Sequence, residues 1–207
     1  MNLNELIRNV EQYYNNKILT YGATAKGVDW NSKESQLLRF EQLLKICDGQ
    51  NYFSINDYGC GYGALPEYMT NQGYNFTYFG YDISSQMLSK AQELYKNHKN
   101  IFFYEQKSEM KVADFTVASG VFNVKQQIEN IHWENYILET LTELSNLSLS
   151  GFAFNVLTKY SDCDKMRSNL YYGDPCFFFN YCKIHFAKNV ALLHDYNLYE
   201  FTIIVKK

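Results

Sequence analysis

Proline is nearly absent: 207 residues hold two, Pro66 and Pro175. No proline-rich linker or low-complexity stretch divides the chain, and residues 1–207 read as one domain. Paired cysteines are missing as well. Cys47, Cys60, Cys163, Cys176 and Cys182 are odd in number, and none stands in a C-x-x-C pair. That argues against a disulfide framework and for free thiols in a reducing cytoplasm. No histidine cluster has zinc-ligand spacing, so no metal is expected. No apolar run approaches the roughly 18 residues that a membrane helix needs, and the opening Met-Asn-Leu-Asn-Glu-Leu has no secretory pattern. Basic charge is thin: the net charge is −3, and lysine and arginine are scattered. A nucleic-acid binder needs a basic stripe, so nucleic acid is excluded and a small molecule is the expected partner. Nothing indicates an oligomeric state.

Apolar residues at 46% and charged ones at 20% fit an ordinary globular core. The 19 tyrosines and 15 phenylalanines are not read as a binding signature. Leu3, Leu6, Ile7, Val10 and Tyr14 recur at helical spacing over residues 3–16. A glycine-containing loop follows, then a second helix over 33–47. From there strands and helices alternate. Strands are predicted at 52–58, 76–81, 101–104, 115–118 and 151–157. Helices are predicted at 64–72, 84–96 and 133–147, and a polar loop at 158–175. Alternation of this kind gives a mostly parallel sheet covered on both faces. Two closing runs, 190–193 and 198–205, are joined too closely for a crossover helix, so they pair antiparallel. Residues 1–50 form a helical lead-in and lid, and residues 51–207 a cofactor-binding core.

The central motif is Asp57-Tyr58-Gly59-Cys60-Gly61-Tyr62-Gly63, after an apolar strand and before a helix. Glycines there permit positive φ and close approach of the backbone to a ligand, which lies beyond the carboxyl ends of the strands. Gly59-x-Gly61-x-x-Ala64 also satisfies a dinucleotide fingerprint, so a nicotinamide-dependent oxidoreductase competes. Asp57 weighs against it: a carboxylate repels a pyrophosphate but accepts a hydrogen bond from an ammonium group. Asp82, at the end of the next strand, can accept both hydroxyls of an adenosine ribose.

This motif resembles the first motif of class I S-adenosylmethionine-dependent methyltransferases. Asp82-Ile83-Ser84-Ser85-Gln86-Met87-Leu88-Ser89-Lys90-Ala91 resembles their second, D-x-S-x-x-M-L-x-x-A. Asp114–Asn123 is similar to the fourth strand and its loop. Trp30–Phe40 and His194–Thr202 look like the lead-in and ending of a small bacterial group whose substrates are largely undefined. The resemblance implies a Rossmann-like α/β fold, a seven-stranded sheet of order 3-2-1-4-5-7-6 with strand 7 antiparallel. It implies transfer of a methyl group from S-adenosyl-L-methionine, leaving S-adenosyl-L-homocysteine. It implies cofactor contacts from Asp57, Gly59, Cys60, Gly61, Gly63, Asp82, Ile83, Met87, Ser119 and Gly120, with Glu105 or Gln106 near the adenine.

Arg39 is a candidate for the cofactor carboxylate or an acidic substrate, because guanidinium binds carboxylate in a bidentate manner. Acceptor contacts are expected from Tyr14, Gln36, Asn123, Tyr160 and Lys165. Tyr21 and Trp30 are candidates for an aromatic face beside the sulfonium. His194, at the end of the sixth strand, is the candidate general base. The function read from these residues is methylation of an O or N atom of a small polar acceptor, such as a metabolite or sugar derivative. A non-catalytic cofactor-binding subunit is the other alternative.

Overall fold

The structure is a computed structural model that describes residues 3–207, with side chains described from residue 8 onward. The contacts expected of Leu3, Leu6 and Ile7 therefore lie outside the described residues. The chain runs α1 (Leu3–Tyr21), α2 (Lys33–Leu44), β1 (Phe53–Tyr58), α3 (Ala64–Asn71), β2 (Phe76–Tyr81), α4 (Ser85–Tyr95), β3 (Ile101–Tyr104) and β4 (Ala113–Ala118). It continues with α5 (Asn130–Asn146), β5 (Ser148–Leu157), α6 (Pro175–His185), β6 (Asn189–Leu193) and β7 (Glu200–Lys206). The sheet order is β3-β2-β1-β4-β5-β7-β6. β1 to β5 pair in parallel, and β7 runs antiparallel to both β5 and β6. The expected topology is the observed one.

A sheet covered on two faces needs two cores. On one, Trp133, Ile137, Leu141 and Leu144 of α5 and Phe178 of α6 pack on Phe152, Phe154 and Phe201. On the other, Leu43 and Leu44 of α2, Leu65 and Met69 of α3, and Leu88 of α4 cover Ile55, Tyr78 and Val117. Helix starts follow side-chain chemistry: Ser32 caps α2, Ser84 caps α4 and Asp174 caps α6, each accepting a backbone N–H.

The first helix runs to Tyr21 rather than stopping near residue 16. The physical reason is tertiary. Ile18, in the extension, is buried with Tyr62 and Met87, and Asn15 accepts a 2.5 Å hydrogen bond from Ser84. These contacts stabilise a turn that the local Asn-Asn sequence does not favour by itself.

One polar network ties the lead-in to the sheet. Arg39 of α2 forms a buried ion pair with Glu200, the first residue of β7. Arg39 also donates to the Ser35 carbonyl at 2.7 Å, and its guanidinium carbon lies 3.9 Å from the Trp30 ring centroid. Glu200 accepts from the Asn155 amide at 2.7 Å. Asn155 in turn accepts from the Gly120 N–H at 2.7 Å. Four segments distant in sequence meet in this chain of contacts. Removing one partner of a buried pair strands the other charge, at a cost of about 3–5 kcal/mol. Glu200→Ala is therefore expected to lower unfolding free energy by about that much, read from urea denaturation. Lys90→Ala, which opens the exposed pair with Glu93, leaves the midpoint nearly unmoved.

Candidate active site

Because β1, β2 and β4 are parallel, their carboxyl ends emerge on one edge, and the loops after them enclose a cavity. The loop after β1 is anchored to the end of β2. Gly59 and Cys60 both donate to the Tyr81 carbonyl, at 2.7 and 2.9 Å. Gly61 donates to Asp82 Oδ2 at 2.8 Å. Asp82 Oδ1 accepts from the Ser84 N–H at 2.9 Å, so one carboxylate holds both the glycine loop and the start of α4. Glycine is required at Gly59, where φ is 83° and a Cβ would stand 2.5 Å from Val121. It is required again at Gly120, where φ is 73° and a Cβ would stand 2.4 Å from the Trp30 ring. The missing side chains let the loop after β4 and the lead-in close over the strand ends.

Two carboxylates dominate the electrostatics. Asp57 Oδ2 accepts from the Tyr78 hydroxyl at 2.7 Å, while the buried Oδ1 has no partner among the described residues. Burial pushes the Asp57 carboxyl up to about 7, and the Tyr78 hydrogen bond opposes that shift only in part. Burial also raises Asp82, against backbone N–H bonds that favour its charged form. The Ser119 hydroxyl at the end of β4 is a further buried group without a partner among the described residues. The Cys60 thiol lies buried in the loop, and burial raises it well above its usual range. It is therefore a neutral wall atom and not a nucleophile.

Asp57, Gly59, Cys60, Gly61, Asp82, Ile83, Met87, Ser119 and Gly120 come together around the cavity, joined by Tyr14, Trp30 and Gln36 from the lead-in. Gly63, with φ of 82°, instead caps α3. Glu105 and Gln106 are exposed and outside the lining; the Gln106 N–H is turned to Glu109. The neighbouring Lys107 faces the cavity, pairing with Glu143 of α5 at 2.5 Å. Glu143 also accepts from the Tyr58 hydroxyl at 3.0 Å.

Other sequence-predicted residues are placed elsewhere. Arg39 is committed to Glu200 and does not line the cavity. Asn123 is buried and accepts from the Leu157 N–H at 3.2 Å, stapling the loop after β4 to the end of β5. Tyr160 and Lys165 are exposed, the latter beside Asp164. Tyr21 is exposed and outside this cavity. His194 is exposed at the sheet border, its ring 6.1 Å from that of Tyr160. β5 and β7 stand between its strand and β4. Sequence reasoning missed Tyr136, Glu139, Thr140 and Glu143, all lining residues. Their spacing marks one helix face, a signal overshadowed by the apolar stripe through Trp133, Ile137 and Leu141.

A family model described as a methyltransferase domain matches residues 55–147. "Putative methyltransferase Rv1506c" of Mycobacterium tuberculosis is 46% identical over 164 residues, covering 79% of this chain and 99% of that one. Magnesium protoporphyrin IX methyltransferase of Synechocystis PCC 6803, solved with bound SAH, has a similar fold. Its TM-score is 0.64 at 14% identity, covering 97% of this chain and 99% of that chain. A SAM-dependent methyltransferase from Aquifex aeolicus gives a TM-score of 0.57 at 18% identity, with 83% of this chain and 92% of that one covered. No described helix is long and apolar enough to cross a membrane. With its sheet order, its glycine loop between two carboxylates and a methyltransferase relative at 46% identity, the chain belongs to the class I S-adenosylmethionine-dependent methyltransferases.

Proposed function

We propose that this enzyme methylates an O or N atom of a small polar acceptor, using the cavity at the strand ends to hold the cofactor. The observation that carries the reading is the pair of buried carboxylates, Asp57 and Asp82, flanking the glycine loop. Asp57 Oδ1 and the Ser119 hydroxyl lack partners among the described residues, and a buried polar atom without one is costly. An ammonium group satisfies Asp57, and ribose hydroxyls satisfy the spare lone pairs of Asp82. When bound, S-adenosylmethionine supplies an electrophilic methyl group on a sulfonium.

The chain's own residues bind, orient and exclude water. Tyr14 presents an aromatic ring to the cavity, worth about 0.5–2 kcal/mol toward a cation. Trp30 has Arg39 against its ring and serves as a cover over Gly120. The described lead-in, residues 3–50, acts as a lid on the core formed by 51–207, and a water-poor site strengthens the electrostatics inside. No histidine lines the cavity among the described residues, whereas the carboxylates of Glu139 and Glu143 on α5 do, so these, rather than His194, are the bases available to take the acceptor's proton. The five cysteines are free thiols, which suits a cytoplasmic enzyme.

Two measurements test the assignment. Calorimetric titration with S-adenosylhomocysteine is expected to show binding that weakens at least about tenfold in Asp82→Ala, in a variant confirmed as folded by circular dichroism. Unchanged affinity removes Asp82 from the site. The second test uses pH. A cationic ammonium favours ionised Asp57, which is protonated below about 7 in the free protein. Affinity for S-adenosylhomocysteine is thus expected to fall as pH drops from 8 to 6, by up to about tenfold per unit for one coupled proton. Asp57→Asn flattens that profile; a slope that survives the substitution assigns it to another group.

A further inference from the structure

A second recess lies on the other side of the wall made by Gln36, Tyr62 and Ala64, which it shares with the strand-end cavity. It is a groove of about 730 Å³ between the loop after α1, the start of α2 and the outer face of α3, within the size range of small-molecule sites. The wall is thin. Gln36 and Tyr62 are buried, and the only side-chain hydrogen bond between them is long, 3.4 Å from the Tyr62 hydroxyl to Gln36 Oε1.

The groove's chemistry differs from that of its neighbour. The strand-end cavity is lined by buried carboxylates and apolar rings. The groove carries Tyr21, Tyr62 and Tyr68 together with Asn31, Asn71 and Gln72, and Lys26, Lys33 and Glu67 add charge of both signs to its lining. Asn31, Asn71, Gln72 and Tyr21 are exposed and Tyr68 is half-buried, so their amides and hydroxyls face the groove's solvent, where a ligand can exchange for water. An amide presents a donor and an acceptor side by side, which matches two neighbouring hydroxyls. A tyrosine ring offers a flat apolar face with a polar tip, which matches the C–H face of a saturated ring. The three rings do not stack on one another among the described residues: Tyr68 packs on Phe40 with centroids 5.9 Å apart. A planar base favours a tight aromatic sandwich, whereas rings and amides spread round a broad groove suit a puckered, hydroxylated ligand.

We infer that this groove binds the acceptor, and that the acceptor is a pyranose sugar or carries one. The inference rests on the methyltransferase reading of the adjoining cavity and names the substrate class for it. The Gln36–Tyr62 wall places the sugar one side chain away from the cofactor cavity. Gln36 and Tyr62 become the partition that must part, or be bridged, for an acceptor hydroxyl to reach the cavity.

The test is methyl-labelled NMR of the full chain, following Ala23, Ala25 and Leu37, which line the groove. Methyl α-glucopyranoside, methyl α-galactopyranoside and methyl α-rhamnopyranoside are titrated in turn, with adenosine as the planar comparison. Calorimetry with S-adenosylhomocysteine runs in parallel on each protein. The expected result is saturable shifts at the groove methyls with at least one glycoside, weakened about tenfold in Tyr21→Ala and in Asn71→Ala, with S-adenosylhomocysteine affinity unchanged. Both substitutions are at exposed positions, so loss of fold is not the expected cause of a loss of binding. Three results overturn the inference while leaving the cofactor site standing: no shifts with any glycoside, shifts identical in both variants, or adenosine binding in place of the sugars. Absent S-adenosylhomocysteine binding with intact sugar shifts instead overturns the cofactor reading and with it the acceptor role, leaving a sugar-binding groove.

Discussion

The Asp82 carboxylate is the pivot of this structure. It accepts from Gly61 on one oxygen and from Ser84 on the other, so the glycine loop and the first turn of α4 are hung from the same group. With Gly59 and Cys60 donating to the Tyr81 carbonyl, the turn after β1 is fixed to the end of β2. A buried carboxylate tolerates its charge only with such donors, and here the donors are the backbone that shapes the cavity. The site is built from the same hydrogen bonds that keep its charge soluble in the core.

The second constraint is the Arg39–Glu200 pair and its extension through Asn155 to Gly120. It draws the start of β7, the end of β5, the loop after β4 and the lead-in helix to one place. Trp30, packed against Arg39 and over Gly120, is held by the same group. A buried ion pair is not by itself a large source of stability. Its consequence here is geometric: Trp30 and Gln36 are presented to the cavity wall at the edge where β1, β2 and β4 end.

Several elements were legible because local and global signals agree. The strands at 76–81 and 101–104 were read with their observed limits, since each is a short aromatic or β-branched run between turn residues. The glycine loop and Asp82 were legible because glycine and acid at fixed spacing leave few alternatives. Glu105 and Gln106 were harder. The chain leaves strand geometry after β3 and enters a short turn at Lys107–Glu109, so strand alternation does not predict which side chain reaches the site, and it is the exposed Lys107 that stands at the cavity rim. Arg39 read as a carboxylate binder, which in chemistry it is; the carboxylate it meets is Glu200, more than one hundred and fifty positions away in the chain. His194 was expected near the site from strand direction alone, and the sheet order sets β6 at the border.

The sequence by itself determined the fold class, the sheet order through its closing hairpin and motif resemblance, and the two carboxylates that bracket the glycine loop. The fold class, the hairpin and the carboxylates follow from short-range patterns, in which periodicity, turn chemistry and spacing act within a few residues of one another; the strand order is what the motif resemblance implied. Tertiary structure alone decided which charges are free and which are spent, and which face of α5 lines the cavity. It alone placed a polar groove behind the Gln36–Tyr62 wall. The physical reason is that a charged or polar side chain takes its meaning from its partner. When that partner comes from another strand or helix, no window of sequence contains both.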